Sequence, residues 1–211
     1  MELIRGIIGV WKPKGPTSHD IVDRVRRKAR ERIVGHAGTL DPLAEGVLVI
    51  AVGKEFTKKL QTEVQKEKEY IGEIKLGEES ETDDAQGLKT KIEFEKEPTL
   101  EDVSNKIKKF IGEIDQTPPI YSAIKLKGKP LYEYAREGKL PEIKSRKVFI
   151  KDIKILKYEF PILKLQITTG PGVYIRSLAK NLGNELKTGG YLYSLIRTRV
   201  GEFTEKNCLK I

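Results

Sequence analysis

Residues 46–53 read GVLVIAVG, six consecutive apolar residues between two glycines. The run is too short and too continuously apolar for an amphipathic helix, so it predicts a central strand. Other elements are arranged around it. GIIGVWK (6–12) is a β-branched run stopped by PKGP and reads as a strand entering a turn. TSHDIVDRVRRKARER (17–32) predicts a helix capped by Thr17 or Ser18, with Ile21, Val22 and Val25 as its buried stripe. KEFTKKLQTEV (54–64) predicts a second helix and KEYIGEIKLG (68–77) an alternating strand. A third helix spans 99–112, capped by Thr99, striped by Val103, Ile107 and Phe110, and ended by Gly112. Strands near 147–158 and 162–169, a helix ending at Gly189 and a strand LIRTRVGEF complete the chain. Strands and helices mix without strict βαβ alternation. The expected class is therefore α+β, with a mixed, largely antiparallel sheet flanked by helices.

The 211 residues suffice for one domain with a substantial core, and no repeat or low-complexity linker divides them. The expectation is a single domain, 1–211, with a basic arm inserted at about 118–147, where PPIYSAIKLKGK predicts a strand and PLYEYAREG a short helix. No run approaches the roughly 20 apolar residues of a membrane helix. The N-terminus has no signal-peptide pattern, and one cysteine, Cys208, excludes a disulfide framework. A cytoplasmic protein is expected. Lys and Arg total 40 against 31 Asp and Glu, a net charge of +9 that fits a nucleic-acid partner. The charge is uneven: 24–32 and 125–147 are basic, whereas GEESETDDAQG (77–87) is acidic.

The chemistry open to this chain is narrow. Two histidines, His19 and His36, and one cysteine make a metal site improbable. No phosphate loop or Gly-x-Ser-x-Gly elbow is present. What remains is a carboxylate acting without metal or cofactor. GHAGTLDPLAEG (35–46) sets Asp41 between glycines and a proline. Asp-Pro is a common helix start, so Asp41 reads as an N-cap or as a nucleophile or base. Little room for a helix follows before the strand, and no acid stands three residues on for a capping box. A glycosidic hydrolase is a third possibility, but such enzymes use two carboxylates, and no second one lies in a recognisable motif.

These segments resemble the TruB-type pseudouridine synthases, which isomerise uridine 55 in the T-loop of tRNA. GHAGTLDPLAEGVLVIAVG is similar to the family's catalytic motif, and GVWKPKGPTSHDIV (9–22) to its first motif. KEYIGEIKLG is similar to its tyrosine-bearing strand, TGPGVYIRSLAKNLG to its Tyr-x-Arg motif, and SLIRTRVGEF to the last motif of its catalytic domain. The resemblance implies the pseudouridine synthase fold and assigns Asp41 as the catalytic aspartate. It makes Tyr70 the stacking residue and base for the C5 proton, and Arg176 the partner of Asp41. Tyr174 and Leu195 line the pocket, His36 contacts the RNA, and Lys12-Pro13 packs on the catalytic loop. Read by themselves, Tyr70 fits a core or surface position, Leu195 a core and His36 a loop. Arg176, in a helix's first turn, opposes the helix dipole and so calls for a specific partner. His19 reads as solvent-facing.

The resemblance further implies no cofactor, the T-arm of tRNA as partner, a monomer and no obligatory protein partner. PPIYSAIKLKGKPLYEYAREG (118–138) resembles the arm with which the stand-alone bacterial branch grips RNA; a dyskerin-like, guide-dependent enzyme and a non-catalytic RNA-binding relative are the alternatives. Many members carry a C-terminal PUA domain, and the chain is expected to lack one. Trp11 stands where members more often have a polar residue.

Overall fold

A strand that is apolar on both sides needs cover on both, and the central run obtains it. The computed structural model describes residues 4–211. In chain order it contains β1 (Gly6–Lys12), α1 (Ser18–Ala29), β2 (Val34–His36), β3 (Glu45–Val52), α2 (Lys54–Thr57), α3 (Leu60–Gln65) and β4 (Lys68–Leu76). There follow β5 (Glu78–Ser80), β6 (Lys89–Lys91), α4 (Leu100–Ile107), β7 (Gly112–Gln116), β8 (Lys125–Leu126), β9 (Lys129–Pro130) and α5 (Leu131–Arg136). The remainder is β10 (Arg146–Glu159), β11 (Ile162–Thr169), α6 (Ile175–Glu185), β12 (Gly190–Val200), β13 (Phe203–Thr204) and β14 (Cys208–Lys210). The residues fall into two units: one of residues up to Ile71 with Gln166–Pro171 and Leu195–Ile211, the other of Gly72–Leu165 with Gly172–Ser194.

In the first unit β3 pairs antiparallel with β1, from Gly6↔Val52 to Lys12↔Gly46, and with the short β2. β14 adds to β1 and β12 to β3, both in parallel. Leu48, Ile50 and Val52 pack with Val10 and with Ile21, Val22, Val25 and Ala29 of α1. The alternate residues Val47 and Val49 pack with Ala37 and Val200, and Trp11 covers this second cluster with Leu60 and Phe203. The apolar cluster accounts for Trp11. Burying each large aliphatic side chain here contributes about 1.5–3 kcal/mol. Thr17 is the cap of α1 and forms a capping box with Asp20, which leaves Ser18 free for another task.

In the second unit β7 pairs antiparallel with β10, from Gly112↔Ile150 to Gln116↔Arg146, and the strand order is β4-β11-β10-β7. Thr99 and Asp102 form the capping box of α4, which buries Val103 and Ile107. Gly183 lies mid-helix in α6, a position costing about 1 kcal/mol relative to Ala. Its use is packing: a Cβ there would come within 2.3 Å of the Gly190 backbone nitrogen. The fold is thus α+β with a mostly antiparallel sheet flanked by helices, as expected.

Several boundaries differ from the sequence expectation. α1 stops at Ala29 because Arg30 turns into the left-handed region and closes the helix on Arg26 and Arg27. The 54–64 helix is two pieces, Lys54–Thr57 and Leu60–Gln65, parted at Lys58 and Lys59. α4 runs into a 3-10 turn that buries Phe110, and Gly112 already opens β7. α6 ends at Glu185 rather than Gly189, and β12 begins at Gly190, five residues before the expected strand. The expected strand in the basic arm is only the two-residue β8, paired with β9 ahead of α5.

Candidate active site

The segment carrying Asp41 is a braced turn. No helix follows it: Pro42 and Leu43 form a turn closed by Ala44 N–H donating to Asp41 O at 3.0 Å, and β3 begins at Glu45. The N-cap reading of Asp41 therefore falls. The turn is tied down from both sides. Ser18 Oγ donates to Leu40 O and accepts from Leu40 N–H, each at 2.8 Å, and Gly15 N–H donates to Pro42 O at 2.8 Å. Lys12 Nζ donates to Ala44 O at 2.7 Å and to Pro13 O at 3.0 Å. A half-buried carboxylate on such a support loses little orientation to thermal motion.

Two buried cations of the same unit, Arg197 and Lys12, stand near this turn, and a third, Lys68, near Arg197. Arg197 is 2% exposed; its guanidinium donates to Val47 O at 2.7 Å, Gly38 O at 3.1 Å and Thr39 O at 3.4 Å. Burial lowers its pKa, and the hydrogen-bonded Tyr70 and the charge of Asp41 oppose that shift. Because a guanidinium only donates, the Tyr70 hydroxyl is the acceptor. Lys12 is fully buried and drawn down to about 8 by desolvation, against the opposing pull of Asp41. Lys68 is likewise brought to about 8 by burial and by Arg197, and donates to Val64 O and Lys66 O at 2.8 and 2.6 Å. The backbones meet closely at this point. A Cβ on Gly46, whose φ is +117°, would come within 2.2 Å of Arg197 O.

The other residues of the first unit take their places near this frame. Tyr70 lies on the buried parity of β4, and Leu195 is buried at β12. His36 sits opposite Ile50 in the β2–β3 pair. Its Nδ1 is enclosed without a hydrogen-bond partner among the described residues. Burial, with His19 and Arg197, holds its pKa below the usual value, so it is neutral at pH 7. His19 is exposed yet not idle: its ring meets His36 edge-on, with centroids 6.3 Å apart.

Tyr174 and Arg176 belong to the second unit. Tyr174 precedes α6, with its N–H donating to Gln116 Oε1 at 2.8 Å and its carbonyl accepting from Gln116 Nε2 at 3.1 Å. The Arg146 guanidinium lies 5.2 Å from the Tyr174 ring centroid and donates to Gly172 O, clamping the Gly-Pro-Gly turn. Arg176 is 5% exposed and donates to Tyr121 O at 2.9 Å and Thr82 O at 3.3 Å, with Asp84 Oδ2 3.8 Å away. Asp84 is itself set by the Thr82 hydroxyl at 2.6 Å and by Gln86 N–H at 2.9 Å. Lys180, one turn further along α6, pairs with Asp83 at 3.0 Å. The acidic stretch therefore fastens a basic helix face in its own unit.

Arg197 and Asp84 are the residues that sequence reasoning passed over. Arg197 had a signal: it stands two places after Leu195, on the apolar parity of a strand. Asp84 had a weaker one: Arg176 calls for a partner, and the resemblance names only Asp41. Among the described residues no group of three or more His, Cys, Asp or Glu is placed to hold a metal ion, and no helix is long and apolar enough to cross a membrane.

The family model for TruB family pseudouridylate synthase (N terminal domain) matches residues 26–175. The tRNA pseudouridine synthase B of Gloeothece citriformis is 47% identical over 197 residues, covering 92% of this chain and 63% of the relative. That of Clostridium tetani is 40% identical over 208 residues, covering 99% and 72%. Among solved structures, a chain of a Cbf5-Nop10-Gar1 complex superposes with a TM-score of 0.75 at 28% identity, over 98% of this chain and 52% of that one. The chain therefore spans roughly half to three quarters of the length of these relatives. On the match to the family model and the identity of these relatives, the chain belongs to the TruB family of pseudouridylate synthases.

Proposed function

We propose that this chain isomerises uridine to pseudouridine at position 55, in the T-loop of tRNA, with Asp41 as the catalytic carboxylate. The observation that carries this reading is the Asp41 turn itself: a half-buried carboxylate in a family motif, braced by Ser18 and Lys12 and set beside Arg197. The names of its relatives support tRNA as the substrate.

A base stacked in a loop is out of reach, so the uridine is flipped out at a cost of a few kcal/mol. Stacking on Tyr70 returns roughly 1–3 kcal/mol. The glycosidic bond C1′–N1 breaks, the uracil turns, C5 joins C1′, the C5 proton leaves with Tyr70 as base, and N1 takes up a proton, so that product and substrate are isomers. The change is an isomerisation and needs no redox partner. The family resemblance assigns Arg176 as the partner of Asp41, Tyr174 and Leu195 as pocket-lining residues and His36 as an RNA contact. The basic arm at about 118–147 holds the T-arm through phosphate contacts while the loop's shape is read. In this reading the enzyme works as a monomer in the cytoplasm, without cofactor or protein partner. The tRNA-named relatives, at 40–47% identity, favour it over the guide-RNA alternative.

Tritium release tests the reading. tRNA transcript labelled at uridine C5 is incubated with the purified chain alone and with its Asp41→Ala variant. About one equivalent released per tRNA by the native chain only is the expected result. Tight binding without release would leave an RNA-binding protein.

A further inference from the structure

Several cations on this protein's surface are answered by acids. Lys106 and Lys109 share Glu185, Lys129 and Lys139 share Glu137, and Lys147 pairs with Glu113. Arg5 pairs with Glu55, and Lys157 with Glu159. The end of α1 is different. Arg24, Arg27, Lys28, Arg30 and Arg32 make no ion pair among the described residues; Asp23 is taken by Arg26, and Glu31 Oε1 accepts from the Ile33 N–H. Arg27, Lys28, Arg30 and Arg32 are exposed, while Ile21, Val22, Val25 and Ala29 turn inward. Cations in the last turn of α1 suit the negative end of the helix dipole, a gain of about 0.3–1 kcal/mol that repulsion among five like charges without counter-charges opposes.

Its position gives it a use. α1 starts at Ser18, whose hydroxyl grips Leu40 beside Asp41, and runs 12 residues to Ala29. At 1.5 Å per residue, the cationic end stands about 18 Å from the Asp41 turn along a rigid axis. A polyanion held at Asp41 continues for several phosphates in any direction. We infer that the C-terminal end of α1 is a second RNA anchor, binding the phosphodiester backbone of the substrate away from the flipped nucleotide and without regard to sequence. The anchor rests on the reading of the chain as an RNA-modifying enzyme and adds to it a surface separate from the basic arm.

The test is the salt dependence of tRNA binding by the whole chain, measured by filter binding from low to physiological salt. Each phosphate that is no longer neutralised lowers the slope of log K against log salt by roughly 0.7–0.9. The variant Arg27→Gln/Arg30→Gln is expected to lower the slope by about 1.5 and to weaken binding about tenfold at low salt, with KM rising in step. Arg27→Lys/Arg30→Lys keeps the charge and is expected to keep the slope. An unchanged slope in the glutamine pair, with a native circular dichroism spectrum, overturns the anchor. An equal loss in the lysine pair also overturns it, since charge would then not be the cause. Failure of the enzyme reading looks different: no tritium release by the native chain, alongside a slope that the glutamine pair still lowers, which supports the anchor alone.

Discussion

The two units of this protein bury cations in opposite ways. In the first, Lys12, Lys68 and Arg197 donate to main-chain carbonyls: Ala44 and Pro13, Val64 and Lys66, Val47, Gly38 and Thr39. In the second, Arg176 also donates to carbonyls but has the buried carboxylate of Asp84 beside it, and Lys180 has Asp83. Carbonyl dipoles satisfy donors without cancelling net charge, whereas a carboxylate cancels it. The first unit thus sets Lys12 and Arg197, held by carbonyls, near the carboxylate of Asp41, and Arg197 on the Tyr70 hydroxyl. The second spends acids on fixing the start of α6, so the acidic stretch has a structural use.

The contrast breaks most sharply at Arg197. Arg197→Met removes the donor from the buried Val47 carbonyl and from the part-buried carbonyls of Gly38 and Thr39, and urea denaturation is expected to show a loss of about 3–5 kcal/mol. Arg197→Lys recovers only part of this, because an ammonium lacks the guanidinium's planar fork. Asp84→Asn keeps the shape of the second unit's partner and removes its charge; a loss of roughly 1–3 kcal/mol is expected by the same measurement. A loss as large as that of Arg197→Met would erase the distinction between the units.

Next in size is a pH effect confined to the first unit. The Lys68 pKa is about 8 in the folded chain and 10.5 ordinarily. Below pH 8 the side chain is charged in both states. Between pH 8 and 10.5 the folded chain has released a proton that the unfolded chain still holds, so stability rises with pH. Relative to Lys68→Met, the native chain is expected to gain roughly 1–3 kcal/mol across that window, read from unfolding at pH 8 and pH 10.5. The smallest effect is a control. Thr17 and Thr99 cap α1 and α4 with the same capping box, one in each unit. Thr17→Ala and Thr99→Ala should each cost about 1 kcal/mol in thermal unfolding, and a large inequality would show that the units differ in more than their buried charges.

The sequence alone determined what depends on short-range pattern. The apolar run at 47–52 became a strand covered on both faces, Thr17 and Thr99 became caps, and the alternation of 68–76 became β4 with Tyr70 buried. Period and capping are properties of neighbours a few residues apart, so they are legible in the chain. Asp41 was legible as well, through its motif and because too little chain follows it for a helix. The break at 58–59, the early end of α6 and the early start of β12 were not, because no local stop signal marks them.

Only the tertiary structure decided which groups satisfy each buried charge. Arg197 takes its first acceptor from Val47, 150 residues away, and Arg176 takes one from Thr82, 94 residues away. A charge removed from water must find partners wherever the fold brings polar atoms, and chain distance places no limit on where that is.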